Sequence, residues 1–445
     1  MNIKENELLS GPVWKSLIHF FIPCWLGLLF QQLYNTVDTL VVGNFAGTNA
    51  VAAVGNVNIV VQFVIGICAG IGNGAGVLIS QHYGAGRMEQ VRRDVRSSLT
   101  LAVLGGLIFS VLCAGMSGEV VRWIHTPEEI ASDSALYMFV YFCALVPVLI
   151  YNFGNAILRG IGDSRTPLYI LIASSVLNII LDLVFVICFH WAVFGVALAT
   201  AIAQTFSAVL IILILVRRFP SFWKRSEQPA MYGGIFRIGL PTAMESVMYN
   251  FSNILIQAAI NSFGTTMIAG WAIYTKVDGL CWMTMSAMGM AVTSFAGQNF
   301  GAGNFQRVFR VARDSILIMF PVITAIIALF YLFAGSIFGI FSDDAAVIEA
   351  GVMILRFLSP AYLLFIPTEL LGGVLRGCGD VVIPTIASVI GICLVRVLWL
   401  VFILPSHHTM YMVMASYSIT WGITCVFYIW YFLRSGWMKR RTSIT

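Results

Sequence analysis

The sequence predicts an all-α polytopic membrane protein, twelve transmembrane helices arranged as two six-helix bundles. Three observations carry that expectation: an apolar composition, apolar runs of membrane length, and an internal repeat that halves the chain. Of the 445 residues, 59% are hydrophobic and 10% charged, with a mean hydropathy of +0.90. An average soluble domain carries roughly 25% charged residues. The runs reach about 20 residues or more, enough to cross a hydrocarbon core of roughly 30 Å at 1.5 Å per residue.

Taken in order, the expected spans of the first half are 14–43, 51–80, 93–117, 130–158, 167–188 and 192–217. Those of the second half are 234–262, 268–296, 309–339, 346–375, 382–404 and 409–433. The first follows a polar start, Met1 to Ser10. It is too long for the apolar region of a signal peptide and has no small-residue cleavage site, so it is expected to remain as a helix. Gly84-Ala85-Gly86 and Gly301-Ala302-Gly303 punctuate two span ends, and Pro167 and Pro384 sit near helix starts, where the missing donor is harmless. Nine cysteines fall mostly inside apolar runs, with no CxxC pair and no His in register. They are expected as small core residues rather than ligands or disulfides.

Cytoplasmic loops accumulate Lys and Arg. With the N-terminus inside, the inner loops and adjoining helix ends hold Arg87, Arg92, Arg93, Arg96, Arg159, Arg165, Arg217, Arg218, Lys224 and Arg225 in the first half and linker. In the second half they hold Arg307, Arg310, Arg313, Arg376, Arg434, Lys439, Arg440 and Arg441. The outer loops offer only Arg122, beside Glu119, Glu128, Glu129, Asp343 and Asp344. Both termini are therefore expected in the cytoplasm. This asymmetry explains the formal charge of +5 without a nucleic-acid partner.

Gln81-His-Tyr-Gly-Ala-Gly86 recurs as Gln298-Asn-Phe-Gly-Ala-Gly303, and Leu158-Arg-Gly-Ile-Gly-Asp163 as Leu375-Arg-Gly-Cys-Gly-Asp380, each 217 positions later. Pro167 and Pro384 keep that separation, and Pro23 and Pro241 differ from it by one. Six spans per half place the second half in the same orientation as the first, so the repeat is parallel. Two bundles related by an axis along the membrane normal are an architecture associated with alternating access. The expected division is an N-terminal lobe over 1–216, a basic cytoplasmic linker over 217–233 and a C-terminal lobe with a short tail over 234–445.

The stretch Asn35-Thr-Val-Asp-Thr-Leu-Val-Val-Gly43, the two Gln-x-x-Gly-Ala-Gly loops and the paired Leu-Arg-Gly-x-Gly-Asp loops together closely resemble the multidrug and toxic compound extrusion (MATE) family. The acids of the first half resemble its bacterial DinF-like branch. The resemblance covers nearly the whole chain and implies the MATE fold and cation-coupled export of amphipathic, often cationic compounds from a bacterial inner membrane. It implies no cofactor beyond a coupling H⁺ or Na⁺. Small organic cations or drugs and the lipid bilayer are the expected partners, with the chain acting as a monomer.

Five acids lie well inside predicted spans: Asp38, Asp182, Glu245, Asp278 and Glu369. An intramembrane acid is a functional-site hypothesis by default. In the first half no Lys or Arg lies at the depth of Asp38 and Asp182, whereas the second half offers Lys276, Arg356 and Arg396 against its three acids. The first bundle therefore carries an uncompensated pair, which holds a proton or shares a cation. The second can form a neutral network.

Asp38 and Asp182 each fall about one to two turns before the outer end of an outward-running helix. Asn178 lies one turn below Asp182 on the same face, and Thr200 and Tyr137 enter from outside to a similar depth. Carboxylate, amide and hydroxyl oxygens suit a small hard cation or a proton-linked network. The resemblance places Asp38, Asn178, Asp182 and Thr200 at the family's cation site, including a Na⁺ site if Na⁺ is the coupling ion. It places Gln31, Tyr34, Tyr137, Asn152 and Asn155 as lining of the same lobe. Pro23 is about four turns before Asp38 and permits a bend that ion binding at Asp38 could bias. A static early kink is the alternative.

Either acid could instead form a structural clasp. Glu245 resembles the second-half acid of NorM-type members, yet Lys276 could neutralise it. Asp278 and Lys276, two residues apart, face different directions. Arg396 is expected to pair with Glu369 or Glu245. Gly70-Ile-Gly-Asn-Gly-Ala-Gly76 follows no strand and reads as a site of close helix packing. No Gly-Lys-Ser/Thr loop or HExxH helix occurs, so ATP coupling and zinc hydrolysis are disfavoured and no enzyme is expected. Met285 and Met288 could form an adaptable apolar wall on a cleft. The rival to drug export is a flippase for a lipid-linked precursor, which would gather cations such as Arg356, Arg396 and Lys276 around an anionic headgroup. A non-transporting scaffold has no evident use for the repeat or the acid pair.

Overall fold

The apolar runs fold as long helices in a computed structural model that describes residues 8–220 and 230–438. Most of the polar start, Lys224 and Arg225 of the linker, and Lys439, Arg440 and Arg441 of the tail lie outside the described residues. The first half forms α1 (Val13–Phe45), α2 (Thr48–Gly84), α3 (Met88–Gly115), α4 (Glu128–Cys143), α5 (Leu145–Gly160), α6 (Arg165–Cys188) and α7 (Ala192–Arg218). The second forms α8 (Tyr232–Asn261), α9 (Thr265–Gly301), α10 (Phe305–Gly339), α11 (Ala345–Gly377), α12 (Val382–Ser406) and α13 (Met410–Arg434).

Ten of these helices are long and apolar enough to cross a membrane, and eleven spans result when α4 and α5, bent by 54°, count as one. The bend has a local cause: Pro147, in the first turn of α5, has no N–H to return to Cys143. The twelfth expected span corresponds to α8, helical over 30 residues but carrying Arg237, Glu245, Asn250, Asn253, Gln257 and Asn261. Its polarity keeps it outside the apolar set. Among the described residues there is no strand, and all nine cysteines are free.

Two compact units result, Met1–Phe21 with Met244–Thr445, and Ile22–Ala243. They do not divide at the boundaries expected from the repeat, because the first turns of α1 and of α8 each pack with the opposite half. In the former unit, Phe20 meets the edge of Phe295 at 5.8 Å. Arg307 donates to the carbonyls of Ser10 and Gly11, both at 2.7 Å, and Asn299 donates to Leu8 at 3.1 Å. In the latter, the glycine run of α2 meets the start of α8 backbone to backbone.

That close approach makes a prediction. A Cβ built on Gly74 would lie 2.5 Å from the Gly239 nitrogen and 2.7 Å from the Ile235 carbonyl oxygen, distances that no relaxation of a flexible side chain can relieve. Gly74→Val should therefore destabilise the protein by about 1–3 kcal/mol or more. Thermal unfolding of the purified protein in detergent checks this, and an unchanged transition would contradict the packing.

The repeated Leu-Arg-Gly-x-Gly-Asp turns are structural. Gly162 and Gly379 adopt φ of 92° and 78°, the left-handed region glycine favours. Asp163 then accepts from the backbone N–H groups of Arg165 and Thr166 at 3.1 and 2.9 Å, capping α6, and pairs with Arg218. Asp380 accepts the Tyr431 hydroxyl at 2.7 Å.

Candidate cation site

Within the unit Ile22–Ala243, α6 and α7 pack along one another, and π-helical turns at Val42–Ala46 and Val184–Cys188, closing α1 and α6, touch. Such turns recur at functional sites because the extra residue re-aims the side chains beside it. Asp38 lies four residues before the first and Asp182 two before the second. The two acids consequently come close enough for their carboxyl groups to interact. Two carboxylates side by side in a buried site cannot both stay ionised cheaply, so the pair suits one shared proton.

Asp182 is fully buried and Asn178 nearly so. In the amide orientation that satisfies both its ends, Asn178 donates to Asp182 Oδ2 at 2.9 Å and accepts from the Thr200 backbone N–H at 3.2 Å. Tyr34 lies beside the Thr200 side chain. Tyr137 is buried beside the acids, stacked on Tyr141 at 6.2 Å. Oδ1 of each acid has no partner, and no Lys or Arg interacts with either among the described residues. Asp38, Asn178, Asp182, Thr200, Tyr34 and Tyr137 thus converge.

The remaining lining candidates are not joined to the acids by a hydrogen bond among the described residues. Gln31 is exposed, Asn152 donates back to the Val148 carbonyl at 2.8 Å, and Asn155 is buried beside Tyr151. Pro23 is buried within α1, two residues past the point where that helix passes from one compact unit into the other.

The second-half acids are arranged differently from the expectation. Arg376 Nη2 donates to Glu369 Oε1 at 3.2 Å, and its Nη1 lies 3.8 Å from Glu245 Oε2. Arg396 pairs with neither acid. It is fully buried, stacked over Tyr417 at 4.0 Å and bonded to Thr420 at 3.3 Å. Nor does Lys276 neutralise Glu245: it is exposed, with its ammonium 5.8 Å from the Phe341 ring centre. Asp278 accepts the hydroxyls of Tyr274, at 2.8 Å, and Tyr362. Arg356 is exposed, so the three cations a lipid-linked substrate would need do not converge. Met285 and Met288 are buried in the core rather than on a cleft.

Arg376 was hidden by its position at a helix end, where Arg ordinarily marks a cytoplasmic loop. The signal that identifies it is its spacing of seven from Glu369, two turns along one helix face. Close packing also fixes Glu369, since a Cβ on Gly289 would fall 2.4 Å from Glu369 Oε1.

The sequence model of the MatE family matches residues 23–184 and 241–402. The chain is 29% identical over 409 residues to the probable multidrug resistance protein YoeA of Bacillus subtilis, covering 89% of this chain and 88% of that one. It is 27% identical to the probable multidrug resistance protein NorM of Thermotoga maritima, covering 86% and 84%. A solved structure described as a MATE in the bent conformation superimposes with a TM-score of 0.91 at 22% identity over all of both chains. Another, described as an outward-facing multidrug resistance MATE transporter, gives 0.90 at 23% identity over 99% of each.

Proposed function

The chain belongs to the MatE family, and on that premise we propose that it is a secondary antiporter exporting amphipathic organic cations in exchange for H⁺. The observation that carries this reading is the close approach of the Asp38 and Asp182 carboxyl groups, without a neutralising cation. A pair sharing one proton is poised to take up or release another, and its negative charge when open suits a cationic substrate. Curated relatives named as multidrug resistance proteins support the substrate class. Two buried carboxyls side by side with no cation beside them favour H⁺ over Na⁺, since a single shared proton removes their mutual repulsion. The cytoplasmic placement of both termini rests on the distribution of Lys and Arg.

Exchange requires that proton and substrate bind the two access states with different affinity. Competition for the same carboxylates provides that difference. The test is ethidium transport into energised inverted vesicles, with a pH gradient and a Na⁺ gradient imposed separately. Transport driven by the pH gradient alone is expected. Transport driven only by Na⁺ overturns the proton assignment, and the absence of gradient-driven transport of any cationic dye overturns the antiport reading.

A further inference from the structure

The unit formed by Met1–Phe21 and Met244–Thr445 holds a basic cavity of about 350 Å³, where the chain entering α1 passes the start of α10. Trp14 and the three residues before it form one wall, and Arg307, Arg310, Arg313 and Asp314 form the other. The three arginines play different parts. Arg307 is buried, and its guanidinium is spent on the carbonyls of Leu8, Ser10 and Gly11, which fixes the wall. Arg313 gives Nε and Nη2 to Asp314 Oδ1, at 3.0 and 2.9 Å, and keeps Nη1. Arg310 is exposed, makes no hydrogen bond or ion pair among the described residues, and stands near enough to Arg307 for their charges to repel. Three guanidiniums against one carboxylate leave two positive charges uncancelled. A phosphate oxygen is the acceptor that the fork of an arginine matches best.

The surroundings decide what carries the phosphate. Past the arginines α10 turns apolar while the same face stays outward, with Leu317 64% and Phe320 38% exposed. Leu317 follows Arg310, and Phe320 follows Arg313, by seven residues, so each lies two turns along one stripe and about 10 Å further on. On a helix long and apolar enough to cross a membrane, such an exposed stripe meets acyl chains. Trp14, 55% exposed on the opposite wall, suits the headgroup level where Trp collects. A soluble phosphate would use the arginines alone. An anionic lipid uses both the charge and the stripe, and a zwitterionic lipid leaves the charge uncancelled.

We propose that this cavity seats the headgroup of an anionic phospholipid, its phosphate at Arg310 and Arg313 and an acyl chain along Leu317 and Phe320. Basic pockets at the ends of membrane spans take lipid headgroups by the same attraction. The acid pair belongs to the other unit, so this binding stands or falls independently of proton exchange.

Native mass spectrometry of the full-length protein tests it, titrating phosphatidylglycerol or phosphatidylcholine of identical acyl chains into lipid-stripped protein in detergent. The first phosphatidylglycerol should bind about tenfold or more tighter than phosphatidylcholine. Arg310→Gln with Arg313→Gln should weaken that first site roughly thirtyfold, about fivefold for each arginine, and leave phosphatidylcholine within about twofold. Arg92→Gln with Arg217→Gln removes the same charge from exposed positions on α3 and α7 and should change neither lipid by more than about twofold. A ligand that binds only the folded protein stabilises it. Phosphatidylglycerol should accordingly raise the melting transition of the wild type and not that of the Arg310/Arg313 variant, while the two proteins melt alike without lipid. Equal affinities for the two lipids in the wild type overturn the proposal, as does phosphatidylglycerol binding undiminished in the Arg310/Arg313 variant or equally weakened in the Arg92/Arg217 one. Inorganic phosphate in large excess should leave the first lipid bound. Full displacement by it would reassign the cavity to a soluble phosphate group and overturn the lipid.

Discussion

Asp38→Asn should collapse the substrate gradient that the protein sustains, at an unchanged amount in the membrane. One pH unit is worth about 1.4 kcal/mol per proton, so a single coupled proton supports roughly a tenfold substrate ratio and two roughly a hundredfold. The amide removes one exchangeable proton but can still donate to Asp182, so the helices stay joined and the protein should insert and fold. What it cannot do is alternate between protonated and charged forms. The expected ratio in vesicles with an imposed pH gradient is therefore about one, while downhill movement of substrate can persist. A wild-type ratio in the variant, at wild-type membrane levels, would remove Asp38 from the coupling site.

The fold and the acid pair could be read from the sequence for different reasons than the second-half network could not. Hydropathy and the 217-residue repeat give the helices because a bilayer leaves few alternatives for backbone hydrogen bonds. Asp38 and Asp182 were legible because both lack a cation at their depth, and depth follows from helix rise alone. The exchange of the first turns of α1 and α8 was not legible, since it depends on which small residues oppose one another, Gly74 with Gly239 and Gly70 with Ala243. The partner of Glu245 was missed because charge pairing was sought within the predicted hydrocarbon depth. Arg376 extends back along α11 from its end, as long basic side chains do. Arg396 shows the opposite error, a buried cation whose neighbour is an aromatic ring and not an acid.

Removing Arg376 should be the most damaging single change in the second half. Its guanidinium is the one cation that pairs with Glu245 and Glu369 among the described residues, at 3.8 and 3.2 Å. All three side chains are about one-fifth exposed, so the effect belongs near the lower end of that for a fully buried pair, about 3 kcal/mol. The first repeat makes the same point in outline. Asn152 occupies the position of Glu369 and Arg159 that of Arg376, so the arginine is kept where the acid has become an amide. The cost in Arg376→Leu arises from the two carboxylates left behind rather than from a lost attraction. Arg376→Leu combined with Glu245→Gln and Glu369→Gln should therefore recover most of the loss, and Arg376→Lys should recover less, because an ammonium lacks the planar fork that reaches two carboxylates at once. Denaturation in detergent micelles, followed by helical signal, reads all four proteins. A single variant as stable as the wild type, or a triple variant no better than the single, would show that the arginine holds the helices by packing and not by charge.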